Sequence, residues 1–541
     1  MKVLLMTFNS SYIHPNLALR WLYVSRDKSH ETFIREYTIK DNLDKVIKEI
    51  DDLDVDVIGM SVYIWNAEIT REFIRKINSD NRYRIILGGP EVTYECDEWL
   101  DENIEGIIKG EGEISFWDAV NHKSNIDGFY SKEYKSEVAY ARVDIDYLES
   151  LESPYYLSFD DNNRHNRYMY LETSRGCPYR CSYCLSSLDN HVRNFSLEYV
   201  YRQLDMLKTH PVKQVKFLDR TFNSHPKRAL DIARYINKLD VDVSFQFEVA
   251  LEFFSKDLLD FFVNAKKDRF RFEVGVQTFN QKTLQAINRV QDEKRLSDNI
   301  SLFARNGLIM HTDLIAGLPY EGYDSFKESF YKLFRLHSDE IQMGILKLLK
   351  GTVMKREALQ NGTIANNYPP YEVISTRWLS KGEMDRIKGV AKVLDKTYNN
   401  SRMRYTFDTL YEMGFDIFEI MADYQKRLST INKIQISDYF VELDKIMDDE
   451  YQTDIKGILL NDYYRLFNER PKPIFKRPDE TIRKELYKKL IEQGYDEHML
   501  NQYSLLDYGY ENGLIYQLII YSPLHKLARI EKYSLDLDRI G

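Results

Sequence analysis

Cysteine and long apolar runs are scarce in this sequence. Four of the 541 residues are cysteine, which is too few for a disulfide framework and favours a reducing cytoplasm. No apolar stretch approaches the roughly 20 residues that a membrane-spanning helix needs, so we expect no membrane association. The apolar N-terminal segment is short and lacks a small-residue cleavage site, so it predicts a first β-strand rather than a signal peptide.

An excess of positive charge is also absent, because the formal net charge is −10. This balance argues against a protein that holds nucleic acid mainly by neutralising phosphates. The first predicted strand is not followed by G-x-G-x-x-G, and no Walker lysine motif occurs, so an ordinary dinucleotide or ATP site is not indicated. No Ser-His-Asp set in a recognisable local context supports a hydrolase.

The first third of the chain alternates apolar runs with helix-like segments. Several of the runs are continuously apolar, which is typical of a parallel sheet covered on both faces. We predict a flavodoxin-like strand order, 2-1-3-4-5, with a ligand at the carboxyl ends of strands 1, 3 and 4. The predicted strands are 2–8, 33–39, 55–64, 83–89 and 104–113.

A second alternating series begins at residue 168 and predicts six βα units, hence a partial (β/α)6 barrel with its site at the carboxyl ends of the strands. Later segments have helical spacing, so the fold class is α/β followed by a mostly α-helical domain. The predicted divisions are a Rossmann-like domain at 1–125, a linker at 126–165, a barrel at 166–360 and a helical domain at 361–541.

Three of the four cysteines fall within eight residues, in the pattern C-x3-C-x2-C formed by Cys177, Cys181 and Cys184. A structural zinc site normally takes four ligands, and only His191 lies nearby as a candidate. Three unrelated buried thiols are the other alternative. We favour a [4Fe–4S] cluster held by three thiolates, with one iron left open. Cys96 is predicted to be a buried, inert thiol.

This loop and several later segments resemble the radical S-adenosylmethionine (SAM) enzymes, in the subgroup with an N-terminal cobalamin-binding domain. The residue before the third cysteine is aromatic in that family's signature, and here it is Tyr183. The segments "FEVGVQTFNQKTLQAINR", "HTDLIAGLPYEGYDSF" and "LKLLKGTVM" are similar to motifs of the oxygen-independent coproporphyrinogen oxidase branch. "LGGPEVT" and "KGEGE" resemble strand ends of the cobalamin-type domain, and the C-terminal part resembles an uncharacterised domain found in some of these proteins.

The resemblance implies a SAM site in the barrel. The open iron would bind the amino and carboxylate groups of SAM, and one electron would cleave the sulfonium bond to give a 5′-deoxyadenosyl radical. Carboxylates suit ribose hydroxyls or the ammonium group, and arginine suits the methionine carboxylate. A structural ion pair is the alternative for Glu248 and Asp313, a helix cap is the alternative for Arg289, and contact with the substrate is the alternative for Asp219. The implied contacts are Tyr183, Asp219, Glu248, Gln277, Arg289 and Asp313.

The resemblance also implies cobalamin at the first sheet. The corrinoid fingerprint D-x-H-x-x-G is missing, so His14, which lies in the expected loop, is a candidate cobalt ligand with a packing role as the alternative. Close helix–sheet packing is the alternative for the glycines. The implied cobalamin contacts are Ser10, His14, Ser61, Gly88 and Gly89.

We therefore expect an enzyme that attacks an unactivated carbon, by methyl transfer or by radical cyclisation or rearrangement. Catalytic residues other than the cofactor contacts are not identifiable. The rivals are a methylthiotransferase, an iron–sulfur binding or electron-transfer protein, and a first domain that binds no cobalamin. Expected partners are a small-molecule or peptide substrate, with RNA as an alternative, and an electron donor such as flavodoxin or ferredoxin.

Overall fold

The computed structural model describes residues 1–189, 191–467, 480–498, 500, 504–510, 514–520 and 529–533. The chain divides into two compact units, of which the first contains 1–339 and 344–381 and the second contains 340–343 and 382–541. Both α/β segments predicted from the sequence lie in the first unit, except residues 340–343 of the last predicted strand of the barrel. No helix in the described part of the chain combines the length and apolarity that crossing a bilayer requires.

The first sheet has the order β2-β1-β3-β4-β5-β6 and is parallel except for β6. The predicted flavodoxin-like order is confirmed, and β6, which lies in the predicted linker, extends its edge. Its central strands are buried on both faces, which explains their continuous apolar composition. The strands are β1 (Lys2–Asn9), β2 (Glu31–Thr38), β3 (Val57–Ser61), β4 (Arg84–Gly88), β5 (Gly106–Ile108) and β6 (Phe129–Tyr130). The helices are α1 (Leu17–Val24), α2 (Leu43–Leu53), α3 (Ala67–Ile77), α4 (Pro90–Thr93), α5 (Ser115–Val120) and α6 (Ile145–Ser150).

The second large sheet forms the partial barrel, and its order is β14-β13-β12-β11-β10-β7. Residues on β12 and β13 alternate strictly between buried and half-buried, so one face packs against helices and the other faces the barrel lumen. The strands of this region are β7 (Tyr168–Leu171), β8 (Ser174–Arg175), β9 (Arg193–Asn194), β10 (Gln214–Phe217), β11 (Phe245–Val249), β12 (Phe270–Gln277), β13 (Ile309–Ala316), β14 (Glu340–Ile345), β15 (Ile364–Ala365) and β16 (Val373–Ser375). The helices are α7 (Leu197–Asp205), α8 (Pro226–Lys238), α9 (Lys256–Asn264), α10 (Gln281–Ala286), α11 (Glu293–Arg305), α12 (Tyr323–Phe334) and α13 (Val353–Glu357).

The second unit is mostly helical, as predicted, and it also contains a three-stranded antiparallel sheet that the sequence did not predict. Its first helix buries one apolar face, on which Met384, Ile387 and Val390 are fully buried. Its elements are α14 (Lys381–Val393), α15 (Arg404–Glu412), α16 (Ile417–Leu428), α17 (Ile436–Asp449), α18 (Lys456–Leu466), α19 (Glu480–Glu492), β17 (Ser504–Tyr510), β18 (Leu514–Ile520) and β19 (Arg529–Tyr533).

Glu36 on β2 is an ionic anchor between the first sheet and the start of the barrel. Its carboxylate accepts from the side-chain amide of Asn9 at 3.1 Å, from the backbone N–H of Asn16, from Arg20 at 2.9 Å and from Arg167 at 2.8 Å. Burial opposes ionisation, yet the two guanidinium groups lower the pKa of Glu36 to about 2. The carboxylate is therefore charged and fully satisfied, which fixes the segment before β7 against the first sheet.

Lys350, just after β14, is a second anchor. Its ammonium group is 3.2 Å from Glu91 and 2.7 Å from Glu98, both of which follow β4. Lys350 and Glu91 have side chains only 3% and 6% exposed, and the Tyr371 hydroxyl donates to Glu91 at 2.5 Å. Because a buried charge without its partner is costly, the pairing stabilises the contact between the loops after β4 and after β14.

We predict that Lys350→Met lowers the free energy of unfolding by about 3 kcal/mol or more, because the Glu91 carboxylate would remain buried without a compensating positive charge. Lys355, which pairs with Glu95 at 2.6 Å in a more exposed position, provides the control. Lys355→Met is expected to cost about 1 kcal/mol or less. Denaturant unfolding of the two variants measures the difference, and equal losses would contradict the prediction.

Candidate cofactor site

The cysteine loop is a closed loop between β8 and β9, which pair antiparallel through Ser174 with Asn194 and Arg175 with Arg193. Gly176 begins the loop at φ +91°, and a Cβ there would lie 2.3 Å from the carbonyl oxygen of His191. Glycine is therefore required at this position.

Backbone hydrogen bonds fix the first and third cysteines of the loop. The backbone N–H of Cys177 donates to the carbonyl of Asp189 at 3.0 Å, and that of Cys184 donates to the carbonyl of Cys181 at 3.1 Å. The Cys177 sulfur lies 3.9 Å from the Thr221 hydroxyl. All three cysteines are free thiols, and burial raises the pKa of Cys177. Binding to a metal would have to supply the stabilisation that makes it a thiolate.

The described residues contain no group of three or more His, Cys, Asp or Glu side chains placed for a single metal ion. A cubane does not need such a group, because each of its cysteines binds a different iron. Three free thiols on one loop therefore fit a [4Fe–4S] cluster. Their role as its ligands stays a prediction.

The predicted SAM contacts of β12 and β13 meet beside the cysteine loop. Arg289 donates to the carbonyl of Gly275, and its Nη1 is 3.9 Å from the Cys181 sulfur. Within the described structure, the side-chain oxygen Oε1 of Gln277 and Oδ1 of Asp313 are shielded from solvent and accept no hydrogen bond. Gln277 also has φ +68°, an unusual backbone conformation for a residue other than glycine. The site thus presents unsatisfied acceptors to a ligand rich in donors.

Carboxyl groups in the lumen influence one another. Burial, together with the charges of Glu273 and Glu248, raises the pKa of Asp313 to about 7. Glu248 lies 3.5 Å from Arg220, and burial is the main cause of its own raised pKa. A cationic ligand would relieve this repulsion.

The sequence analysis did not identify Glu273 as a site residue. The signal was present in the alternation of β12, which places Arg271, Glu273, Gly275 and Gln277 on the lumen face. Glu273 pairs in register with Glu248 on one side and His311 on the other.

Asp219 supports the chain at the start of the cysteine loop, and Tyr183 lies close to Arg289. Asp219 is 2% exposed and accepts from the backbone and hydroxyl of Thr173 at 2.9 and 2.6 Å and from the Ser174 hydroxyl at 2.6 Å. These donors already satisfy its carboxylate, which fixes the end of β7. Burial raises the pKa of Tyr183, which lies close to Arg289. Contact of either residue with SAM stays a prediction.

The predicted cobalamin residues lie at the carboxyl edge of the first sheet. Ser10 follows β1 and is exposed, while Ser61 ends β3 and Gly88 ends β4. A Cβ on Gly88 would meet nothing closer than 3.8 Å, whereas Gly89, at φ +105°, packs against Val62, whose oxygen would be 2.5 Å away. The positive φ and close packing of Gly89 therefore explain the glycine at that position without a ligand. Gly88 has space beside it in which a ligand could lie.

His14 contacts the barrel. Its Nδ1 is 2.6 Å from the Tyr170 hydroxyl, and its ring packs beside Tyr168 with centroids 5.4 Å apart. Burial, with Lys216 and Arg167 nearby, lowers the pKa of His14 and keeps the imidazole neutral. The contact with Tyr170 gives His14 a packing role and leaves Nε2 as the ring nitrogen that would bind cobalt. Cobalt ligation stays a prediction.

Asn66 fixes the loop after β3 at the same edge. Its side-chain amide donates to the Thr7 hydroxyl at 3.1 Å and to the carbonyl groups of Phe8 and Ser61 at 3.0 and 3.2 Å. This arrangement presents a stacked pair of rings, Tyr63 and Trp65, with centroids 4.4 Å apart. Trp65 is 46% exposed, which is unusual for tryptophan and gives the edge an apolar surface.

Three family models match the chain. They are the B12 binding domain at residues 3–119, the radical SAM superfamily at residues 171–332 and a protein of unknown function (DUF4080) at residues 360–522. The first two confirm the predicted cofactors, a [4Fe–4S] cluster, SAM and cobalamin.

The chain is similar to several curated proteins and solved structures. The chain is 24% identical over 412 residues to an uncharacterized methyltransferase, PH0819, of Pyrococcus horikoshii, covering 72% of this chain and 88% of that protein. It is 23% identical to the cobalamin-dependent radical SAM methyltransferase TokK of Streptomyces tokunonensis, covering 54% of this chain and 47% of that protein. The cobalamin-dependent SAM radical enzyme OxsB, solved with aqua-cobalamin and SAM, matches with a TM-score of 0.57 and 15% identity over 86% of this chain and 83% of that chain. At this identity the likeness shows a shared fold. The chain thus contains an N-terminal B12 binding domain followed by a radical SAM domain, and it is an enzyme.

Proposed function

We propose that this enzyme is a cobalamin-dependent radical SAM methyltransferase that acts on an unactivated carbon of a small molecule or peptide. The observation that carries the proposal is the position of three free thiols beside a lumen of unsatisfied acceptors, in the same compact unit as the B12-type sheet. Methyl transfer is preferred to cyclisation or rearrangement because two similar proteins have methyltransferase names.

The cysteines and Arg289 would bind SAM at its methionine end. Cys177, Cys181 and Cys184 would bind three irons and leave the fourth to the amino and carboxylate groups of SAM. Arg289, anchored on the Gly275 carbonyl, would pair with that carboxylate. The bound cluster and cobalamin would supply the electron and the metal that carries the methyl group.

The acceptors in the lumen would orient the rest of SAM. Oε1 of Gln277 and Oδ1 of Asp313, which have no donor within the described structure, would accept from its N–H or O–H groups. Glu248 and Glu273 would add negative charge that favours the sulfonium. His14, which reaches Tyr170 of β7 from the loop after β1, brings the first domain to the barrel, as methyl transfer between the two cofactors requires.

The same chemistry suggests the surroundings of the enzyme. We infer a reducing cytoplasm, because the thiols must remain available to the cluster. The cluster needs a one-electron donor, for which flavodoxin or ferredoxin has suitable chemistry.

The direct test is anaerobic incubation of the reconstituted protein with SAM, dithionite and hydroxocobalamin, with assay of 5′-deoxyadenosine and S-adenosylhomocysteine. We expect both products from the wild type and from Cys96→Ser, since Cys96 is buried in the hydrophobic core of the first sheet. Cys181→Ser should form neither. A wild-type protein with an intact cluster that yields no 5′-deoxyadenosine would refute the proposal.

Arg289→Lys should weaken SAM binding by about tenfold to a hundredfold. An ammonium group cannot reproduce the geometry by which the guanidinium group would contact both the Gly275 carbonyl and the SAM carboxylate. Equilibrium dialysis against labelled SAM measures this. Arg295, which donates to the Phe254 carbonyl at 3.0 Å from α11, supplies the control, and Arg295→Lys should bind SAM normally. Unchanged affinity in Arg289→Lys would remove this residue from the site.

SAM binding should strengthen as pH rises through 7. The pKa of Asp313 is raised to about 7 in the free chain, so at lower pH the carboxyl group must lose a proton before it can pair with cationic SAM. The dissociation constant should then fall by up to about tenfold per pH unit below 7 and level off above it.

Asp313→Asn should remove most of this dependence. Glu321 is the matched control, because burial also raises its pKa to about 7 while its carboxyl group accepts from Thr278 and Ser329. Glu321→Gln should retain the dependence. A wild-type affinity that is flat between pH 6 and 8 would contradict the role of Asp313.

A further inference from the structure

The base of the cysteine loop is bound by carboxylates from the first domain. Arg175 and Arg193 face each other across the two-residue pairing of β8 and β9 that closes the loop. Glu111 and Glu113 lie in the loop between β5 and α5, in the segment "KGEGE".

Arg175 is the more buried of the two arginines, with a side chain 11% exposed. Its Nη2 lies 2.7 Å from Glu113 and 3.1 Å from Glu172, and its Nη1 lies 3.3 Å from Glu111. Glu113 is only 7% exposed. Arg175 stands two residues before Cys177, so this charge network surrounds the chain where it enters the cysteine loop.

Arg193 connects Glu111 to the backbone that holds Cys177. Its guanidinium group pairs with Glu111, donates to the Val143 carbonyl at 2.7 Å and lies 3.5 Å from the carboxylate of Asp189. The backbone carbonyl of Asp189 accepts the N–H of Cys177 at 3.0 Å. A continuous series of contacts therefore runs from a first-domain carboxylate to the first cysteine.

We propose that Glu111 and Glu113 are positioning residues for the iron–sulfur cluster: through Arg193 and Arg175 they fix Cys177 and set the local charge around the cluster. The inference rests on the proposed cluster ligation by the three cysteines. It gives the B12-type domain a role in the redox chemistry of the barrel that does not depend on bound cobalamin.

The charge of each residue predicts the direction in which its removal shifts the midpoint potential of the cluster. Reduction adds one electron to the cluster, so a nearby carboxylate disfavours the reduced form and a nearby guanidinium favours it. Neutralising a carboxylate should raise the midpoint potential, and neutralising an arginine should lower it. A purely structural contact predicts no such opposition of sign, because loss of either partner would disturb the loop in the same way.

The experiment is a redox titration of the reconstituted full-length protein, without cobalamin, with the reduced cluster followed by electron paramagnetic resonance. We expect a positive shift in the midpoint potential for Glu113→Gln and Glu111→Gln and a negative shift for Arg193→Gln. The double variant Glu111→Gln/Arg193→Gln should lie close to the wild type. Glu98→Gln, which removes a first-domain carboxylate from Lys350 and not from the cysteine loop, should leave the potential unchanged.

Shifts of the same sign in the glutamate and arginine variants, or an equal shift in Glu98→Gln, would overturn the inference. If Glu111→Gln cannot hold a cluster, retention by the double variant supports charge positioning, and failure of both overturns it. A wild-type protein that forms no cluster would instead refute the proposed function.

Discussion

Buried ion pairs that join the first sheet and its loops to the barrel region are the interaction on which the rest of the structure depends. Glu36 near the end of β2, Glu91 after β4 and Glu113 after β5 each meet an arginine or lysine of the barrel region. Such pairs add little net stability relative to apolar packing, but each is costly to break. They therefore specify one arrangement of the two sheets, and they bring the carboxyl-end loops of β4 and β5 against the loops after β14 and β7.

That arrangement decides what the site can do. The carboxyl edge of the first sheet presents Gly88 and the stacked pair of Tyr63 and Trp65, and the barrel presents the cysteine loop and a lumen with unsatisfied acceptors. A reaction that passes a group between two cofactors needs both to be held by rigid parts of one body. The ionic contacts provide this rigidity without occupying the thiols.

Much of the fold was predictable because it depends on local pattern. Continuous apolar runs predicted the parallel order of the first sheet, and the second alternating series predicted the six strands of the barrel. The sequence did not predict β6, the three strands β17, β18 and β19, or the buried ion pairs between the first sheet and the barrel. Pairs such as Glu111 with Arg193 join residues that are far apart in the chain, and a charged residue looks the same in sequence whether it is solvated or paired. The alternation of buried and half-buried residues on β12 was sufficient to predict that Glu273 faces the lumen together with Gln277.

The central claim is that three cysteines leave one iron of the cluster open to SAM. Electron–nuclear double resonance of the reduced protein, prepared with SAM labelled with ¹⁵N in its amino group and ¹⁷O in its carboxylate, tests it most directly. We expect hyperfine coupling to both labels in the wild type, and weaker or no coupling in Arg289→Lys. A well-formed cluster without coupling to either label, or a tetrahedral zinc ion bound by the three thiols, would contradict it.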